Sequence, residues 1–413
     1  MTPNRNRVEF ANTLRGIAAL FVLIAHLYGL FWFNRGLVSE LTGMPNLSAE
    51  TYPTPAWVPL LSKIPIPHFN WGALGVALFF LISGFVIPFS LKRANFAGFM
   101  TGRLFRILPT YAAGFSVTLL ALVISCYYFN VDFKWPLVDV VTHFFPGIRD
   151  FAGTQNIDGV IWTLEIEMKF YILCALFIGL FQSKSHRVFL VPVGLFAMAM
   201  VLNGISNGWF GYAPYTHRFS MIFAFAAQFE IFMFIGVAFH YLYEQRITTP
   251  TAYGLTAGLL AMFSAAWATG PLAESFTHVT CYGLALCAFL FAYHSPWLIP
   301  TNRVTNFLAD VSYPLYVIHG IAGYVALALL MRQGASPSAA LFSVTIGCFA
   351  VAWLLHVTVE KPTQKLGKKC AAALMERQAP PEEVAEADAE PETISIPFPR
   401  AEERPTSARS RAA

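Results

Sequence analysis

Charge is what this sequence has least of. Only 12% of its 413 residues are Asp, Glu, Lys or Arg, where soluble domains carry about a quarter. That excludes an ordinary soluble enzyme. The net charge of +4 is small and spread over many loops, so nucleic acid is not an expected partner. The six cysteines form no CxxC pair, and five of them lie in or beside apolar blocks, where a thiol behaves as a small hydrophobe. Neither a metal site nor a disulfide framework is expected from them. No internal repeat is visible, so the inverted-repeat signature of many transporters is missing. The basic N-terminus leads into a long apolar block and does not read as a cleavable signal.

Long apolar runs are what is present. The chain is 56% hydrophobic, and its blocks reach the roughly 20 residues that a helix needs to cross a bilayer. Ten spans are predicted, near residues 10–33, 71–91, 104–129, 160–181, 188–208, 219–243, 251–269, 276–293, 312–331 and 338–358. The expected fold is therefore all-α, a polytopic membrane helix bundle over residues 1–369. A Pro-rich irregular loop separates the first two spans, and "FKWPLVDVVTHFF" between the third and fourth reads as a short interfacial helix. From Cys370 the composition turns acidic, then mixed, with repeated Pro and Ala. Residues 370–413 are expected to be a disordered tail. Lys and Arg concentrate on one side of the spans, from Arg5 and Arg7 through Lys92 and Arg93 to Lys361–Lys369. That bias predicts both termini in the cytoplasm.

Ionisable residues inside such spans cost about 2.5–3.5 kcal/mol each at the centre, so each calls for a reason. Arg15 and His26 share the first span, in "LRGIAALFVLIAH". Their separation comes to about three turns, which puts both on one face. A polar site inside the bundle is one explanation. Snorkelling of Arg15 to the headgroups, with His26 bonded inside the bundle, is the other. Arg103 and Arg106 in "GRLFRILPTY" are neighbours on a helix face. With Arg15 they would make a phosphate clamp, although positive-inside topology alone also explains them. Pro109 is expected to kink or break that helix just after the pair.

The fourth span carries "DGVIWTLEIEMKFY". Glu165 and Lys169 are spaced to pair with each other, which leaves Glu167 at the same expected depth as His26 and as its candidate partner. A purely structural Glu167 is the alternative. Asp310, Tyr313, Tyr316 and His319 give the ninth span a polar half, with Tyr316 and His319 on one face. A structural role is the stronger reading there, as for Glu230 and His240.

These blocks, in this order, resemble the membrane-bound acyltransferase family 3. The resemblance rests on the Arg-x10-His spacing, "LFFLISGFVI", "GRLFRILPTY", "WTLEIEMKFY" and "SYPLYVIHG", and covers about residues 8–360. It implies an acyl-CoA-dependent O-acyltransferase, most often an O-acetyltransferase, in the bacterial inner membrane. The co-substrate would be acetyl-CoA or another acyl-CoA, with no metal. The acceptor would be a hydroxyl of an extracytoplasmic glycan or lipid-linked saccharide such as lipopolysaccharide, exopolysaccharide or peptidoglycan. The resemblance matches Arg15 and His26 to functional positions, Arg103 and Arg106 to the paired arginines, and Glu167 to the motif acid, with Trp162 and Tyr171 around it.

Two departures matter. Asn12 stands where the family often has Asp, so carboxylate support for Arg15 must come from elsewhere, with Glu9 as the candidate. Nothing after Lys369 reads as the hydrolase-like domain fused to some members, so a stand-alone transferase is expected. On this reading His26 is the general base and Glu167 orients it. The rival readings are a transporter or flippase that uses the same ionisable residues as a relay, and a scaffold of a glycan-assembly complex.

Overall fold

The computed structural model describes residues 9–208, 214–299 and 301–376. Among them no β-strand occurs. The described residues begin with α1 (Glu9–Leu23), which passes without interruption into a π-helical segment, Ile24–Leu30, ending near Phe33. A connection that includes the short helix Arg35–Thr42 and a 3-10 turn at Val58–Ser62 then leads to α2 (Trp71–Leu91) and α3 (Phe96–Phe129). The short α4 (Leu137–His143) is the helix expected from "FKWPLVDVVTHFF". There follow α5 (Ile161–Leu176), α6 (Leu190–Ser206), α7 (Pro214–Tyr243), α8 (Thr249–Thr269) and α9 (Val279–His294). The chain continues with α10 (Arg303–Ile318), α11 (Ile321–Arg332), α12 (Pro337–Leu355), a second π segment over His356–Glu360, and α13 (Lys361–Glu376).

Local chemistry fixes the ends of these helices. Asn70 and Asn95 cap α2 and α3 by accepting from the backbone N–H of Ala73 and Gly98, at 3.0 and 2.7 Å. Asn302 and Thr305 form a reciprocal capping box on α10. Asn130, with φ +52°, ends α3 in the left-handed region.

Eight of the described helices are long and apolar enough to span a membrane, or nine if the bent pair α10–α11 is one span. The count falls short of the predicted ten at two places. The span predicted at 160–181 is α5, only 16 residues long, followed after Phe177 by the separate turn Ile178–Gln182. Its Glu165, Glu167 and Lys169 belong to a protein interior rather than to a lipid-facing surface. The span predicted at 312–331 is broken, with α10 and α11 meeting at 76° around His319 and Gly320. Pro109, by contrast, does not break α3, which is helical from Phe96 to Phe129. The carbonyl that Pro109 leaves without its N–H donor is that of Phe105, a loss that packed neighbours in a bundle make tolerable. At the other end, α13 runs to Glu376, past the composition change at Cys370, and packs on α3. Residues 377–413 of the expected tail lie outside the described residues.

The helix α7 runs through the middle of the bundle, buried almost continuously from Ala224 to Tyr241. It packs on α2, α6 and α8. Its contact with α2 is a glycine-to-glycine approach. A Cβ at Gly84 would lie 1.9 Å from the Met233 carbonyl oxygen, and one at Gly236 would lie 2.2 Å from that of Leu81. Small residues permit such backbone contact. The helix α1 lies against α10 and α2, and a Cβ at Gly16 would meet Leu308 at 2.8 Å. These close approaches bring the polar faces of α1, α2, α3, α5 and α10 around one interior space.

Candidate functional site

That space is a cavity of about 350 Å³. Arg15 enters it from α1, Ser83 from α2, Arg103 and Arg106 from α3, Glu167 and Tyr171 from α5, and Tyr313 and Tyr316 from α10. The second π segment and α13 add His356, Glu360 and Gln364, and Phe79, Phe80 and Phe89 of α2 give it an aromatic wall. The expected arginine cluster is therefore assembled, because two helices, α1 with one cation and α3 with two, converge on a shared void.

The guanidiniums are held in different ways. Arg103 donates to the Ser90 hydroxyl and lies over the rings of Phe99 and Tyr171, at 5.2 and 5.1 Å from their centroids. This is cation–π geometry, and it orients the planar fork. Arg15 is within electrostatic reach of Arg106, Glu360 and Glu167. Among the described residues its guanidinium forms no hydrogen bond, and neither does that of Arg106. Three cations thus face one cavity, together with the carboxylates Glu167, Asp310 and Glu360.

Several pairings differ from those expected. Glu167 does not meet His26. Its Oε1 accepts from the Ser83 hydroxyl at 3.0 Å and from the Tyr171 hydroxyl at 2.6 Å, so it stands at the arginine end of the site. Equal depth along two helices says nothing about which way each residue points, and α5 turns Glu167 toward α2 and α3. Glu165 and Lys169 do not pair either. Arg149 grips Glu165 through two bonds, at 2.7 and 2.6 Å, and Lys169 pairs with Asp150. Glu9 is exposed, and the carboxylates that act on Arg15 are Glu360 and Glu167.

His26 lies outside the cavity lining, as do His319 and Trp162. Trp162 packs instead on Phe225 and Phe229 of α7, with ring centroids at 5.7 and 5.6 Å. His26 pairs with His319, Nδ1 to Nε2, at 2.5 Å. The π segment explains the displacement. Beyond Leu23 the helix no longer turns at 3.6 residues, so the stripe extrapolated from Arg15 ends before His26. Tyr316 joins the two groups. It lines the cavity, its hydroxyl shares a hydrogen bond with Thr163 at 2.6 Å, and its ring lies 6.0 Å from that of His319.

Sequence reasoning missed Ser83, Ser90, His356, Glu360 and Gln364. Glu360 accepts from Gln364 at 2.9 Å and shares a hydrogen bond with His356 Nδ1 at 2.6 Å. The available signal was "LLHVTVEKP", where a His and a Glu four positions apart interrupt the end of the last apolar run. It also missed Asp158, which accepts from the Tyr111 hydroxyl at 2.8 Å and from the backbone N–H of Val160 and Ile161 at 2.9 and 3.0 Å. These bonds fix the start of α5.

The profile of a family described as an acyltransferase domain matches residues 8–357. Among curated proteins, the exopolysaccharide production protein ExoZ of Rhizobium meliloti (strain 1021) is 27% identical over 310 residues, 73% of this chain and 92% of that protein. Nodulation protein 10 of Rhizobium leguminosarum bv. viciae is also 27% identical, over 154 residues that make up 32% of this chain. The match spans 41% of the length of that relative. No solved structure matches.

Proposed function

Because the chain belongs to this acyltransferase family, we propose that it moves an acyl group, acetyl in the first instance, from acyl-coenzyme A to a hydroxyl of a surface polysaccharide or a lipid-linked saccharide. The observation that carries the reading is the cavity with three arginines at one end, aromatic walls, and a histidine pair next to it through Tyr316. Arginine forks suit the phosphates of coenzyme A, and the aromatic walls suit its apolar arm. His26 suits the role of general base, since a neutral imidazole carries one bare ring nitrogen that can take the proton of a hydroxyl. Glu167 and Tyr171 then act at the donor end by holding Arg103. The printed name of the Rhizobium meliloti relative concerns exopolysaccharide production, which supports a surface polysaccharide as the acceptor class. The Lys and Arg bias supports the arginine end as the cytoplasmic one, in a bacterial inner membrane with both termini cytoplasmic.

Coenzyme A tests the donor site directly. A ligand at a hundred times its Kd stabilises the folded protein by about 2.7 kcal/mol. The detergent-solubilised protein should therefore melt several degrees higher with coenzyme A, and not with a simple nucleotide at the same concentration. No shift with coenzyme A, together with ion-coupled flux in vesicles, would replace the reading with transport.

A further inference from the structure

A general base must present a bare nitrogen, and a neutral imidazole has only one. At His26 a chain of two hydrogen bonds decides which it is. His319 Nδ1 lies 3.0 Å from the Leu315 carbonyl oxygen. A carbonyl oxygen only accepts, so this nitrogen carries the hydrogen and His319 Nε2 is bare. His26 Nδ1 lies 2.5 Å from that bare nitrogen, so the hydrogen between them belongs to His26. The lone pair of His26 is thereby left on Nε2.

Ring geometry agrees with this assignment. The two ring centroids are 4.8 Å apart and the planes differ by 18°. That separation is the N···N distance plus two ring radii. The rings thus meet edge to edge, with the N–H and the lone pair in a common plane, rather than face on face.

The backbone builds this arrangement. His319 sits at the break between α10 and α11, where its own N–H also reaches the Leu315 carbonyl, at 3.2 Å. The helix α11 then presses on the π segment, and a Cβ at Gly323 would lie 2.7 Å from Leu27. His319 is 1% exposed, whereas His26 is half-buried. Of the pair, only His26 has a face open to a substrate.

We propose that His319 is a positioning residue that fixes His26 in its Nδ1–H tautomer and so makes Nε2 the base nitrogen. The proposal rests on the acyl-transfer reading above. In the step, the acceptor oxygen bonds to the thioester carbonyl carbon and its proton passes to His26 Nε2. The carbon–sulfur bond breaks, the sulfur takes the proton back from Nε2, and an ester and a free thiol leave. While His26 is protonated, its Nδ1–H donates a charge-assisted bond to His319.

Transfer from acyl-CoA is measured in membranes with wild-type protein, His26→Ala, His319→Gln, His319→Leu and His319→Asn, each normalised to inserted protein. The Gln side chain still offers an oxygen to His26 Nδ1. Leu offers none, and Asn is too short to reach. His319→Leu and His319→Asn are expected to lower kcat about a hundredfold, the low end of what general-base catalysis contributes, with KM for acyl-CoA unchanged. His319→Gln is expected to recover most of the loss. The proposal is overturned if His319→Leu turns over like wild type, or if Gln is as damaging as Leu, since a packing role would make those two alike. Full activity in His26→Ala would instead overturn the assignment of the base itself, and no transfer by the wild type would overturn the acyl-transfer reading.

Discussion

Arg103 shows how much one side chain can depend on its surroundings. Its guanidinium is bonded to Ser90 and lies against the rings of Phe99 and Tyr171, and Tyr171 is in turn bonded to Glu167. The charge is thus fixed in direction before any ligand arrives, and preorganisation of this kind lowers the entropy cost of binding. Arg103→Ala should raise KM for acyl-CoA about tenfold, the effect of roughly 1.4 kcal/mol, while KM for the acceptor stays within about twofold. Arg103→Lys should recover little, because an ammonium lacks the planar fork. Glu167→Gln should shift KM for acyl-CoA in the same direction but less, since Gln can still accept from Ser83 and Tyr171. A large fall in kcat without a change in KM would return Glu167 to the chemistry. At this scale the sequence disclosed which residues are costly to bury, because Arg15, Arg103, Arg106 and Glu167 stand out in apolar runs. It did not disclose their partners. Pairing depends on azimuth and on interhelical register, and neither is written in the spacing along one helix.

Elements carry the exceptions to regular helix geometry. Both π segments hold groups with a place in the account: His26 in Ile24–Leu30, and His356 with Glu360 in His356–Glu360. Such bulges cluster at functional sites because they re-aim side chains. They leave no hydropathy signal, which is why the stripe through Arg15 could be extended too far. The break between α10 and α11 is hidden as well, since the two helices pass together as one span by length and hydropathy. Glycine contacts are the other device. Gly84→Ala would force a Cβ to within 1.9 Å of the Met233 carbonyl oxygen, which cannot move aside as a flexible side chain would. Overpacking of this kind costs about 1–3 kcal/mol, so a lower Tm in detergent is expected.

The loop before α5 adds a pH prediction. Burial would raise the Asp158 carboxyl, but His143, the Val160 N–H and Tyr111 hold it below its usual 3.8. A carboxyl with a depressed folded-state pKa contributes stability that is complete above its unfolded value and lost as pH falls below it. Asp158→Ala should therefore lower Tm at neutral pH, with the gap to wild type closing in acid below about pH 4. A gap that stays constant into acid would mean that the carboxylate charge contributes nothing.

The whole molecule combines two chemistries that the linear sequence keeps apart. Arginines from α1 and α3 line one cavity, and the histidine pair comes from α1 and the α10–α11 break. Tyr316 touches both. The multi-pass architecture was legible from the apolar blocks, as was the family from the order of its motifs. The count of spans was not, because α5 is short and charged and α10–α11 is bent. The proposed acyl transfer would explain why a membrane bundle retains an arginine-lined cavity and a paired imidazole next to each other. The most direct test compares, by mass spectrometry, the surface glycans of a deletion strain complemented with the wild-type chain or with His26→Ala. The account predicts glycans heavier by one acyl group per modified residue with the wild type, and unmodified glycans with His26→Ala expressed to the same level. Identical glycan masses in the deletion strain and in the strain carrying the wild-type chain would contradict it.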